Sequence, residues 1–277
     1  MKNEKGNLKF FIIGAIVFVI FIFPLYWMVV TALKTQVEIF QIPTPLWPKN
    51  LTLDAFADQL SASSDTLRGF KNSMIIAAGA TVISTILSIP AAYGLARFKF
   101  SGRKVLILYF LMTQMLPSTL ILTSLYIMFS KMGLLNSYLA PILADATLGI
   151  PFSIIILRTY FLSIPKELDE AAKIDGANSL QVFTRILLPA VKPVMLAVLV
   201  MALVFNWNDF FNPLIYLNSN DKFTIAIGLQ FFKGSQGNVQ VGQMMSMALI
   251  SLLPVLVIFA TCQKYFIQGI KMSGLKG

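Results

Sequence analysis

The sequence predicts an all-α, polytopic membrane protein with six transmembrane helices and a helical loop on its inner face. Three observations predict it. Of 277 residues, 57% are hydrophobic and only 12% are charged, about half the charged share of an ordinary soluble domain. The charges are bunched, leaving six runs long enough for a hydrocarbon core that takes about 20 residues. A backbone in lipid must also pair its own N–H and C=O groups, so such runs fold as helices.

The first span, about 10–32, follows Lys2, Glu4, Lys5 and Lys9 and holds the uncharged run 10–30. It is too long for a signal-peptide core and no small-x-small cleavage site follows closely, so it reads as a retained anchor. An outer loop comes next, with Pro43, Pro45 and Pro48 and a segment from Leu53 to Leu60 that reads as a short surface helix. The second span, 72–96, carries Gly79, Ser84, Ser88, Ala91, Ala92 and Gly94, small residues that suit close helix packing. The third is 105–130 and the fourth 137–159, the latter with Asp145 as the one charge between Lys131 and Arg158, which lies at its inner end. The fifth, 190–213, has Lys192 at its inner end and is then uncharged until Asp209, and the sixth, 241–263, lies inside the charge-free stretch between Lys233 and Lys264. The organisation read from this is an N-terminal part, 1–69, a membrane domain, 70–264, and a C-terminal tail, 265–277.

Lys and Arg set the orientation. With both termini inside, most of the 22 basic residues fall in inner segments, among them Arg97, Lys99, Arg103, Lys104, Lys166, Lys173 and Arg185. The net charge of +10 therefore comes from residues flanking spans, which argues for headgroups or an inner-face partner and against nucleic acid.

Composition excludes other chemistry. With no histidine and a single cysteine, Cys262, the chain lacks a His metal site, an intrachain disulfide and a multi-Cys zinc site. No Gly-Lys dipeptide occurs, so the phosphate-cradling G-x-x-x-x-G-K-[ST] loop is missing. If ATP drives this protein, another chain binds it. The 13 methionines, several in spans three and six, read as adaptable packing, and no cofactor is implied.

The inner loop 163–189 is the most informative stretch. Ser163 or Pro165 can open a helix, and Glu167, Asp169 and Glu170 then lie at the positive end of its dipole. Ala171 and Ala172 allow another surface close. Gly176 suits the left-handed residue that ends a helix; a second helix follows, and Pro189 marks entry into span five. Any single residue here fits a plain solvated turn. The whole pattern, Glu170-Ala171-Ala172, three residues, Gly176, nine residues, Ile186, one residue, Leu188-Pro189, resembles the signature loop of ABC importer permeases. The segment from Asn206 to Leu214 (NWNDFFNPL), the tail from Gln263 and the overall length resemble the carbohydrate type, the second permease of maltose-type importers.

That resemblance implies a type I importer fold, MetI-like, in a bacterial inner or plasma membrane. The partners it implies are a second permease, two ATPase subunits that hold ATP and Mg, and an external substrate-binding protein. It makes the loop a coupling helix, with Glu170, Ala171, Ala172, Asp175, Gly176, Ile186, Leu188 and Pro189 as coupling residues. Lys264 and Lys271 in the tail would face the ATPases or anchor to headgroups.

Charges inside spans usually face a cavity or a partner. Asp145 and Asp209 are the candidates, placed in the outer half by a rise of about 1.5 Å per residue. Asn206, Trp207, Asn208 and Asn212 share the zone, which suits a sugar's hydroxyls and apolar face. Equally, this cluster pairs helix to helix or closes an outer gate. Thr113, Gln114 and Gln243 are weaker cavity candidates. An ion-coupled secondary transporter using Asp145 or Asp209 is the alternative reading.

Overall fold

The computed structural model describes residues 4–61, 64–230 and 240–274, with side chains placed in 10–61, 64–117, 119–230 and 240–263. Lys2, Lys233 and residues 275–277 of the tail lie outside the described residues, and the side chains of Lys264 and Lys271 are outside them too. Among the described residues every regular element is helical: α1 (Glu4–Ala32), α2 (Gln36–Ile39), α3 (Asp54–Leu60), α4 (Asp65–Arg97), α5 (Arg103–Thr113), α6 (Ser118–Lys131), α7 (Leu139–Ser163), α8 (Glu167–Ile174), α9 (Ser179–Gln181), α10 (Leu188–Trp207), α11 (Phe211–Tyr216), α12 (Ile225–Gln230) and α13 (Val241–Gly274). A π-helical turn, Val182–Leu187, joins α9 to α10.

Among the described residues five helical stretches are long and apolar enough to cross a membrane: Phe10–Ala32, Asp65–Arg97, Leu139–Ser163, Ser179–Trp207 and Val241–Gln263. The third predicted span, 105–130, is not one helix. It is the pair α5 and α6, interrupted at 114–117. Pro117 is the physical reason: its ring fixes φ at −58° with ψ at 124°, it has no N–H to donate, and it disfavours a helical Leu116. Helix α5 closes with short bonds instead, Gln114 N–H to Leu111 O at 3.2 Å and Met115 N–H to Met112 O at 3.0 Å. The fifth span also differs. Its helix ends at Trp207, and 208–210 separate it from α11.

The chain forms two compact units, one from residues 1–68 and 228–253, the other from 69–227 and 254–277. In the first, residues 10–25 of α1 are exposed all round, as a helix bathed in acyl chains would be. The helix becomes buried only at Val30, Thr31 and Ala32. The outer loop is tied by two buried charges. Lys34 donates to Pro45 O and lies 4.7 Å over the Trp27 ring; Glu38 accepts from both N–H and Nδ2 of Asn50, at 2.9 and 3.0 Å. The expected surface helix is α3. It is held by Ser246, whose hydroxyl donates to Ala55 O at 2.9 Å.

The second unit is built on the pairing of α4 with α7, and the small residues of span two make it possible. A Cβ at Gly79 would meet Ile142 at 2.9 Å, and Ser84 lies where a Cβ at Gly149 would touch it. Ser88 is fully buried and donates to Ile150 O at 3.3 Å. Toward the end of the pair, Arg158 Nε donates to Leu95 O at 3.2 Å. A core of Leu95, Leu157, Phe161, Val182, Leu187 and Val191 closes this end of the unit and takes in Ala172 of α8.

Candidate functional site

The inner loop folds as a short helix between two turns. Helix α8 starts at Glu167 behind Lys166 as its N-cap, with the N–H groups of Asp169 and Glu170 bonded to Lys166 O at 2.9 and 3.1 Å. It ends as the sequence predicts: Gly176 has φ of +85°, and Ala177 N–H reaches back to Ala172 O at 2.9 Å. The second helix opens at Ser179 under a capping box, with Asn178 Oδ1 accepting from Gln181 N–H at 2.9 Å and Gln181 Oε1 from Asn178 N–H at 2.8 Å. It runs without a break into α10, so Pro189 lies inside a continuous helix and does not mark its entry. The turn before it is widened to π geometry, with Leu188 N–H bonded to Phe183 O. That widening relieves the clash a proline ring makes with the carbonyl four residues back.

The eight residues predicted for coupling divide by face. Glu170, Ala171, Asp175 and Gly176 are exposed. Ala172 is buried in the core, while Ile186 and Leu188 are half-buried, which makes these three anchors of the loop; Pro189 is exposed. Two residues that sequence reasoning missed join the outer face, Leu168 at 48% and Ile174 at 87% exposure. With Ala171 they form an apolar ridge at a spacing of three residues. The signal was available in that spacing: this helix turns its larger apolar side chains outward with Ala171 and, of its apolar residues, only Ala172 inward, the reverse of an ordinary amphipathic helix. Covering one such side chain is worth about 1.5–3 kcal/mol. The outward face of α8 is therefore an exposed apolar ridge flanked by the charges of Glu167, Glu170, Lys173 and Asp175.

Sequence reasoning also missed what holds α8 from behind. Arg97, the last residue of α4, places its Nε 3.0 Å from Asp169 Oδ2, with the two side chains only 5% and 14% exposed. Its other arm donates to Ile164 O at 3.1 Å, the carbonyl that follows α7. Tyr93, one turn earlier, stacks within 4.7 Å of Phe183 and edge-on to Phe161 at 5.9 Å.

The polar cluster near the end of span five divides in a similar way. Asp145 is 1% exposed and accepts from Asn212 Nδ2 at 2.6 Å. Asn206 is buried and donates to Thr81 Oγ1 at 3.0 Å, and Trp207 packs edge-on to Phe70 at 5.2 Å. These four residues pin α10 and α11 to α4 and α7. Asp209 accepts from the N–H groups of Phe211 and Asn212, each at 3.2 Å, and so caps α11. Asp209 and Asn208 also line a largely apolar cavity of about 610 Å³ with Val204, Phe205, Val255 and Phe259. Gln114, exposed by the break in span three, lines a second cavity of about 210 Å³. Thr113 is turned back onto Phe110 O at 2.8 Å. Gln243 is taken up by Asp58 Oδ2 at 2.6 Å.

A family model described as the binding-protein-dependent transport system inner membrane component matches residues 84–272. The probable ABC transporter permease protein YurM of Bacillus subtilis is 36% identical over 92% of this chain and 84% of its own length. The trehalose/maltose transport system permease protein MalG of Thermococcus litoralis is 30% identical over the full length of both chains. Among solved structures, a chain of a bacterial ABC transporter involved in the import of the acidic polysaccharide alginate superposes with a TM-score of 0.81 at 21% identity, covering 95% of this chain and 98% of that one. That likeness is one of fold.

Proposed function

The chain belongs to the inner membrane components of binding-protein-dependent transport systems, and from that premise we propose that it is one permease subunit of an ABC importer for a carbohydrate, of oligosaccharide or related type. It forms the translocation pathway with a second permease and takes its drive from two separate ATPase subunits, which hold ATP and Mg; an external binding protein delivers the solute. Both termini lie in the cytoplasm, in a bacterial cell membrane.

One observation carries the reading: α8 presents Glu170, Ala171, Ile174 and Asp175 outward while Ala172 roots it in the core. A helix so placed meets a partner on one face and the bundle on the other. In the family's mechanism, closure of the ATPase pair on ATP draws the docked helix, and its displacement rocks the spans between inward-facing and outward-facing states. The chain's own chemistry is mechanical. Gly176 permits the turn, Glu170 and Asp175 supply charge at the contact, and Ala171 allows close approach. Ile186, Leu188 and Pro189 join the loop to α10.

Carbohydrate as cargo rests on relatives such as MalG. Among the described residues, Asn208 and Asp209 line one cavity, Gln114 a second and Gln243 a third, and these are the candidates to meet solute. Asp145, Asn206, Trp207 and Asn212 are the structural frame around them. The test is reconstitution of the complete assembly with candidate binding proteins, screened for solute-stimulated ATP hydrolysis. Stimulation by an oligosaccharide with its binding protein supports the proposal. Stimulation confined to amino acids or metal ions overturns the carbohydrate assignment. Uptake driven by an ion gradient without ATP overturns the importer.

A further inference from the structure

Helix α8 is connected by two short turns, and a helix so connected transmits a pull only if something stiffer than its linkers ties it to the spans. Its inward face offers Ala172, which is too small to resist displacement alone, and Asp169. The Asp169 carboxylate meets Arg97 at 3.0 Å in a nearly water-free setting, where an ion pair is far less screened than at a surface. The same guanidinium holds Ile164 O at 3.1 Å. The contact to Asp169 is an ion pair through Nε and the one to Ile164 a hydrogen bond through Nη2, so one rigid planar group meets both acceptors, in directions that a freely rotating ammonium does not fix. One side chain at the end of α4 therefore grips α8 and the end of α7 together. A turn away, Arg158 of α7 bonds Leu95 O of α4 at 3.2 Å, so these two helix ends are already one body. Toward α10 the loop runs through Gly176, at φ +85°, and the π turn, whose Val182 and Leu187 share the core with Ala172, and no ion pair ties α8 on that side among the described residues.

We propose that Arg97 and Asp169 are positioning residues for energy transmission: they lock α8 to the α4–α7 pair, so displacement of α8 is carried to that pair. This rests on the functional reading above.

The test uses the complete importer in proteoliposomes and measures solute imported per ATP hydrolysed. Replacing one partner leaves a buried charge unpaired and risks misfolding, so the informative variant is R97M combined with D169L, which removes both charges and keeps the bulk. The expected result is an assembly recovered in normal yield that hydrolyses ATP but imports about three-fold less solute per ATP, or worse. Arg97→Lys should fall between, because it keeps the charge and loses the planar group. A second measurement needs no transport. With Cys262→Ser, spin labels at Glu167→Cys and Lys99→Cys should give a narrow distance distribution in the parent chain and a broad one in the double variant. An unchanged import ratio, or an unchanged distribution, overturns the proposal. A parent assembly without solute-stimulated ATP hydrolysis instead overturns the functional reading, and the distance measurement still decides whether Arg97 and Asp169 lock α8.

Discussion

Gly176 illustrates how a single residue carries a mechanical requirement. Nothing lies within 4 Å of a Cβ built there, so crowding does not demand glycine. The demand comes from φ of +85°, a conformation that costs an L-residue about 1–2 kcal/mol. Gly176→Val should therefore strain the end of α8 and reduce the ATPase that co-purifies with the chain, whereas Gly176→Asn should be tolerated better because asparagine enters this region more readily. Equal recovery in both variants would contradict the argument. Asp145 makes the opposite point. It is a charge inside a span, the kind of residue that marks a pathway, yet it is spent on Asn212 at 2.6 Å. Asp145→Leu leaves that donor unpaired and should cost about 1–3 kcal/mol, read as a lower unfolding midpoint in detergent. Asp145→Asn keeps an acceptor and should cost less. If Asp145 instead contacts solute, both variants should lose uptake with the midpoint unchanged.

At the scale of the element, α8 and α4 show the two uses of a helix face. The proposal makes the outer ridge of α8 the ATPase contact, so Ile174→Asp should weaken association with the ATPase by about ten-fold or more, the loss expected when an apolar anchor is withdrawn from an interface. Glu167→Gln, at the edge of the same face, should change it by less than about three-fold, as an exposed charge does. Salt titration of the co-purified complex separates the two. On α4, close packing depends on which atoms stand opposite. Gly69 faces backbone, with Ile225 N at 3.1 Å and Thr224 C at 3.3 Å from a Cβ built there, while Gly79 faces the tip of the Ile142 side chain. Gly69→Ala should lower the unfolding midpoint more than Gly79→Ala, because a side chain swings aside and a backbone does not. The reverse order would show the helix contacts to be misassigned.

For the molecule as a whole, orientation decides whether the coupling face can work. A membrane-impermeant thiol reagent applied to intact cells should label Lys49→Cys and leave Glu170→Cys untouched until the cells are opened, in chains with Cys262→Ser. Labelling of Glu170→Cys from outside would place α8 on the wrong side of the membrane for any ATPase. Much of the architecture was legible beforehand, since a charge-free run of twenty residues has few alternatives in lipid and small residues in span two announce a close neighbour. Part of the signature from Glu170 to Pro189 was equally legible, because Ala171 and Gly176 serve local needs, a small face and a left-handed stop, whereas Pro189 proved to lie inside a continuous helix.

What the sequence by itself determined was the set of spans, the inner loop and the family to which they point, because hydropathy and local backbone preference act over neighbours in the chain. What only the tertiary structure decided was the partner each polar group finds. Arg97 stands 72 residues before Asp169, and Asp145 stands 67 before Asn212, and no local rule couples such distant positions. The break at Pro117 belongs between the two. Proline signals it, but many helices here accommodate an internal proline, at 24, 90, 151, 193 and 254. Whether a given proline interrupts or is absorbed depends on what packs around the carbonyl it leaves without a donor.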